Sequence, residues 1–340
     1  MSRSILQHTL VCAALSIVAL AGVAPAHAEQ RAICYNCPPE WADWGSQLKA
    51  INTRLGVVVP PDNKNSGQSI AAMIAEKASP VTDVVYLGGI SADAAVSADV
   101  LTSYKPKAWD KIPAALKDPQ GRWFTIHSGT LGLFVNTAAL GKVPVPQSWN
   151  DLLKPEYKGM VGYLDPTSAA VGQLSVMAVN LALGGSYENL DPAVKFFKAL
   201  SKNDPVVPKQ TSYARVISGE IPILIDYDFN AYRAEYTDKA PVRFVIPKEG
   251  SVVMPYIMGL AKNGPNAANG KKVLDFVLSP ESQRMWGEAY LRPVFAEYLS
   301  AQAKAHFLPD SDYARAKPVD LKQLAAAQSR IVDRYRNEVQ

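Results

Sequence analysis

Histidine and cysteine are scarce in this chain of 340 residues, with four of the first and three of the second. His8, His27 and Cys12 fall in an N-terminal stretch read below as an export signal, which leaves His127, His306, Cys34 and Cys37. These form no His-Glu-x-x-His and no Cys/His set at zinc spacing, and the chain has no Gly-x-Ser-x-Gly. The common signatures of metal-dependent and serine hydrolases are therefore missing. Past residue 28, no segment approaches the ~20 uninterrupted apolar residues of a transmembrane helix. A dominant charge is absent too. The 35 Lys and Arg against 31 Asp and Glu give +4, scattered too evenly to mark a nucleic-acid or anionic membrane surface.

The first 28 residues read as an export signal. Arg3 is their only charge, an apolar core runs over 10–23, and Ala26 and Ala28 supply small residues at −3 and −1, which places cleavage after Ala28. Cys12 lies inside the apolar core without the small preceding residue of a lipoprotein site, so a released periplasmic protein is expected. What remains is long enough for two lobes at ~100–200 residues each. In an oxidising compartment Cys34 and Cys37 can pair. A redox-active Cys-x-x-Cys opens a helix, whereas Pro38-Pro39 follows here, so a local structural disulfide is expected and thiol oxidoreductase is the alternative.

Apolar runs alternate with helical patterns along the first third. Residues 31–34 and 56–59 read as strands, as does 83–87, which closes on Gly88-Gly89. Pro38-Pro39 is expected to start a helix carrying Trp41, Trp44, Leu48, Ile51 and Leu55, with Glu40 and Trp41 at the carboxyl edge of the first strand. Ser66 is expected to N-cap a second helix. The amides behind it, from Gly67 on, suit an anion or serve the cap alone. Strand, helix, strand implies a parallel sheet. Residues 123–135, interrupted by Gly129 and Gly132, break the alternation and read as a crossing into a second sheet, and 254–260 as the return. Between them, 160–164 ends on Asp165-Pro166-Thr167-Ser168. The apolar run 221–225 ends on Asp226, Tyr227, Asp228 and Asn230. Ligands of open α/β sheets collect beyond such strand ends. One of these acids suffices for an N-cap, but two flanking a tyrosine exceed that need.

Four segments together resemble the periplasmic solute-binding proteins of ABC importers, family 1, whose members include ferric, polyamine-like and phosphonate or sugar-phosphate binders. They are Ser66-Gly67-Gln68-Ser69 with the helix at 70–77; Asp83-Val84-Val85-Tyr86; 129–136 from Gly129-Thr130-Leu131; and Ser218-Gly219-Glu220-Ile221. The resemblance spans nearly the whole chain past the signal. It implies a two-lobe α/β fold of the type II periplasmic-binding-protein class with two interlobe crossings, lobe 1 from 29–130 and 256–340 and lobe 2 from 131–255. It also implies a monomer that takes a small polar solute in the cleft and delivers it to an inner-membrane permease, with no cofactor, metal, catalytic residue or nucleic-acid partner. The expected ligand residues are Trp41, Ser66, Gly67, Ser168, Asp226, Tyr227 and Asp228. Ferric binders of the family show two adjacent tyrosines where this chain has Asp226-Tyr227-Asp228, and so an amine- or hydroxyl-bearing solute is favoured. Ferric-ion, phosphonate and sugar-phosphate binding stay as alternatives, and an exported hydrolase as one of another class.

Overall fold

The computed structural model describes residues 30–209 and 212–340, so the expected export signal and its cleavage site lie outside the described residues. Two long strands, Phe124–Asn136 and Ser251–Ala261, organise everything else. They run antiparallel, with Met254 opposite Gly129. The first half of Phe124–Asn136 pairs with Ser251–Ala261 and with the short strand Arg292–Pro293. Its second half, from Leu131 on, pairs with Ile223–Tyr227 on one side and Val242–Val245 on the other. One strand thus belongs to two sheets, and the molecule has two α/β lobes.

Glycine makes the changeover possible. A Cβ on Gly129 would fall 2.6 Å from the Phe229 ring and 2.7 Å from that of Tyr227. One on Gly132 would fall 2.5 Å from the Phe244 ring and from the Val245 carbonyl. Only a residue without a side chain lets the second sheet lie this close to the crossing strand.

The first-lobe sheet runs Cys34–Tyr35, Val84–Gly88, Ser251–Ala261, Phe124–Asn136. Cys34–Tyr35 and Val84–Gly88 are parallel, as β-α-β alternation requires, and all five residues of the latter are buried. The expected parallel sheet stops there. Only Ser251–Ala261 arrives from the other lobe; it lies between Val84–Gly88 and Phe124–Asn136 and runs against both, and so the central pairings are antiparallel. In the second lobe Val161–Tyr163 and Ile223–Tyr227 are parallel, which puts Asp165 and Asp226 at the same sheet edge.

Three local expectations change. The first helix is Trp44–Leu55, because Ala42 and Asp43 are both left-handed, at φ 51, and hold the chain in a turn; Trp41 lies in that turn. The second helix, Ser66–Ala75, is capped by Asn65. Its side chain accepts from Gln68 N while Gln68 reaches back to the Asn65 N–H, and Ser66 becomes the first helical residue. The end of the chain, placed by its sequence with the first lobe, packs against second-lobe elements as well. Tyr313 and Phe307 join a cluster with Phe134, Tyr232 and Phe244. The terminal helix Leu321–Glu338, which buries Leu324, Ala327, Ile331 and Tyr335, lies against both lobes: against Gly89–Ser91 and Ala92–Ser97 of the first and the helices Ala170–Ala182 and Asp191–Ser201 of the second. Tyr335 also shares a 2.8 Å hydroxyl hydrogen bond with Tyr163. Burying Leu324 and Ile331 stabilises this docking by roughly 1.5–3 kcal/mol each.

Candidate functional site

The strand ends of both lobes converge on a run of aromatic rings. Because Gly129 lets them approach, Tyr227 and Phe229 lie flat on each other, 5.1 Å apart at 13°, over the crossing strand. Trp41 meets Phe229 edge-on at 5.3 Å and tilts against Tyr256 at 6.3 Å. Tyr256, from the return crossing, stands edge-on to Tyr227 at 5.9 Å and stacks on Tyr86 at 5.4 Å. The Tyr86 hydroxyl lies 3.1 Å from His127 Nε2. Rings from the first lobe (Trp41, Tyr86, Tyr256) and the second (Tyr227, Phe229) therefore touch across the boundary. Burial holds all three tyrosine hydroxyls above their usual range and pushes the His127 imidazole down to about 3. This wall is uncharged at neutral pH and offers ring faces and hydroxyls.

The two acids of the 226–230 stretch have different surroundings. Asp226 Oδ1 accepts from Tyr227 N at 2.8 Å and Oδ2 from Asn230 Nδ2 at 2.9 Å. Asp228 is fully buried. Its Oδ1 accepts from Thr130 N and Phe229 N, both at 2.9 Å, and its Oδ2 from the Tyr313 hydroxyl at 3.1 Å. Asp228 thereby ties the crossing strand to the chain near its end, and its oxygens are occupied within the scaffold. Burial raises both carboxyls to about 6, with the neighbouring donors pulling the other way.

Ser66 and Gly67 sit on the first-lobe side. The Ser66 Oγ accepts from Gly88 N at 3.1 Å and Gly67 is exposed. Ser168 is exposed in a turn organised by Asp165, which accepts from Thr167 N and Oγ1 at 2.8 and 2.7 Å. The structure thus brings Trp41 and Tyr227 into one aromatic group, keeps Asp226 beneath it and Ser66 at its first-lobe edge, and leaves Asp228 and Ser168 with scaffold contacts.

Beside the aromatic group opens a cleft of about 300 Å³ between the turn at 38–44 and the end of helix Pro280–Glu288 on one side and residues 229–237 on the other. Its wall contains Glu40, Asp43, Glu288, Phe229, Asn230 and Arg233. Arg233 Nη1 donates across it to the Glu40 carbonyl at 2.8 Å, and the Thr237 and Tyr290 hydroxyls meet at 3.0 Å. Ala42, Asp43 and Tyr290, all in this wall, are non-glycine residues in the left-handed region (φ 51, 51 and 68). Such strain persists where surrounding structure over-determines it, as at ligand clamps. Sequence reasoning placed Glu40 and Asn230 at the strand ends without counting them among the ligand residues, and it missed Glu288. For the first two the signal was adjacency to marked positions; Glu288 carried none. Among the described residues, no cluster of three or more His, Cys, Asp or Glu is placed to hold a metal ion.

A family model described as bacterial extracellular solute-binding protein matches residues 79–323. A putative 2-aminoethylphosphonate-binding periplasmic protein of Salmonella paratyphi A is 26% identical over 283 residues, 80% of each chain. A spermidine/putrescine-binding periplasmic protein of Escherichia coli is 27% identical over 165 residues, 47% of this chain and 45% of that one. The periplasmic binding protein AfuA from Actinobacillus pleuropneumoniae, solved with fructose-6-phosphate bound, superposes with a TM-score of 0.75 at 24% identity, covering 92% of this chain and 99% of that one. With the two-lobe fold, the paired crossings and this family match together, the chain belongs to the bacterial extracellular solute-binding proteins and serves as a solute-binding protein of ABC transport.

Proposed function

We propose that the solute is a small primary amine that also carries an oxyanion, captured between lobes 29–130 with 256–300 and 131–255 with the last forty residues, and handed to an inner-membrane permease. The carrying observation is the polarity of the cleft. Three acids, Glu40, Asp43 and Glu288, stand in the wall on one side, and its one arginine, Arg233, is engaged with the Glu40 carbonyl. Phe229 lies in the same wall with Trp41 against it, and such rings attract an ammonium by their quadrupoles. On the first-lobe side Ser66 and Gly67 open the ten-residue helix Ser66–Ala75, where a hydroxyl and backbone N–H groups suit an oxyanion. Two relatives are named for amines, and 2-aminoethylphosphonate carries both groups. In this reading Asp226 supports the amine end through Asn230, and Tyr227 supplies ring surface. The chain is exported with its signal cleaved after Ala28, and the protein binds without turnover as a monomer.

Calorimetry with 2-aminoethylphosphonate, putrescine, ethylphosphonate and fructose-6-phosphate tests this reading. The expected order places 2-aminoethylphosphonate first, with ethylphosphonate at least tenfold weaker, as loss of a charge-assisted contact of roughly 1.5–3 kcal/mol requires. Equal affinity for the two phosphonates would refute the amine end, and putrescine binding more tightly than either would refute the oxyanion end.

A further inference from the structure

Cys34 and Cys37 form a disulfide, both fully buried, and close a four-residue loop whose residue Asn36 is left-handed at φ 63. Asparagine visits this region more readily than other residues except glycine. The loop interrupts a sheet pairing. Cys34 and Tyr35 pair in parallel with Val84 and Val85, and Asn36 follows where Tyr86 is next on the partner strand. The backbone turns away there, and the side chain takes over: Asn36 Nδ2 donates to the Tyr86 carbonyl at 2.7 Å. A carbonyl only accepts, so the amide nitrogen must be the atom on that side. The Asn36 backbone N donates to Asp62 Oδ1 at 2.9 Å, and Nδ2 also lies 3.5 Å from Ser66 Oγ, which in turn accepts from Gly88 N. One residue thus links two strand ends, the 60–65 loop and the start of the Ser66–Ala75 helix. With two acceptor contacts made, the Ser66 hydroxyl keeps its own proton for donation. Beyond Cys37 the chain turns at once, Trp41 N donating to the Pro38 carbonyl at 3.2 Å, and brings Trp41 to Phe229.

We propose that Asn36 is a positioning residue for the solute site: clamped by the Cys34–Cys37 disulfide, it sets the direction of the Ser66 hydroxyl and the placement of Trp41. The proposal rests on the reading above that Ser66 and Trp41 touch the solute, and its test separates the two. Asn36→Gly keeps the left-handed backbone and removes the amide. Asn36→Asp keeps shape but turns an acceptor toward the Tyr86 carbonyl. A third variant carries Cys34→Ser with Cys37→Ser. Amide hydrogen exchange without solute is measured over 38–44, 62–68 and 84–89, together with Tm and, by calorimetry, Kd for 2-aminoethylphosphonate.

All three variants are expected to exchange faster, about tenfold, in these three segments. Both Asn36 variants should bind about tenfold more weakly, the worth of one hydrogen bond, with Tm within a few degrees of the parent. Unchanged exchange in both Asn36 variants overturns the proposal. Faster exchange with unchanged Kd also overturns it, since the residue is then only structural. If the parent protein does not bind 2-aminoethylphosphonate, the amine-oxyanion reading fails. The same comparison is then made with whichever of putrescine, ethylphosphonate or fructose-6-phosphate the parent binds: weaker binding by both Asn36 variants supports the proposal, and unchanged binding overturns it.

Discussion

The two faces of the cleft finish their strands by opposite means. On the first-lobe face the ends are held by the Asn36 amide, the Ser66 hydroxyl and a disulfide, with one carboxylate, Asp62, that is paired with Lys64 near the surface. On the second-lobe face they are held by two carboxylates, Asp226 and Asp228, buried to 5% and 0% exposure. A neutral amide or hydroxyl asks for one or two partners and leaves capacity for a solute. A desolvated carboxylate is costly unless surrounded by donors, so the fold must supply them. Asp228 takes three such donors from the crossing strand, its own helix and Tyr313. The residues whose chemistry looks most suited to binding an amine are thus the ones most occupied by the scaffold. The Trp41 ring, which has no such demand, stays partly exposed beside them.

Removing the aromatic contact should have the largest effect. Trp41→Ala is expected to weaken 2-aminoethylphosphonate binding by about 2–3 kcal/mol, roughly 30- to 150-fold, because a desolvated cation–π contact and a central aromatic anchor are both lost. Trp41 is only half-buried, so Tm should move little. A change under threefold in calorimetry would remove the rings from the site.

The carboxylate side can be sharpened by pH. Asp228 has a folded-state pKa near 6, raised by burial above its usual 3.8. A raised carboxyl contributes stability that is complete below the unfolded value and is lost as pH climbs through the folded one. The window is therefore about pH 4 to 6, and stability should fall across it by roughly 2–3 kcal/mol from this group. Asp228→Asn should delete that slope. Denaturant titrations of both proteins at pH 4.5, 5.5 and 7 read it directly, and parallel pH profiles would contradict the assignment.

The hinge offers a third comparison. Gly129→Ala forces a Cβ into the Phe229 and Tyr227 rings and is expected to cost about 1–2 kcal/mol in urea unfolding. It should also weaken binding, because the displaced ring is the one Trp41 meets. The same substitution at Gly141, where no atom lies within 4 Å, carries only the left-handed backbone penalty at φ 61 and should leave binding intact. The smallest effect separates the two acids. Asp226→Asn is expected to weaken amine binding by about 1 kcal/mol through Asn230, and Asp228→Asn by less than twofold, since its oxygens are already engaged. Equal losses would place both acids at the solute.

The sequence alone determined the alternation of strands and helices, the two crossings and the family. These rest on local periodicity, on glycines at 129 and 132, and on four short segments in a fixed order. It also pointed to Trp41 and to the 226–230 stretch, because polar residues closing a buried strand must lie at a sheet edge. Tertiary structure alone decided what those residues do. Whether Asp228 faces solvent, solute or scaffold depends on Thr130 and Tyr313, which lie 98 and 85 residues away. Glu288 reaches the cleft because its helix packs against Trp44–Leu55, and Ser66 yields the cap to Asn65 through reciprocal hydrogen bonds one residue earlier. The terminal helix looked like part of the first lobe by order along the chain. Its apolar stripe, however, is buried on whichever surface fits it, and that surface is shared by elements of both lobes. Periodicity records which face of an element must be covered, and the partner that covers it is set by long-range packing.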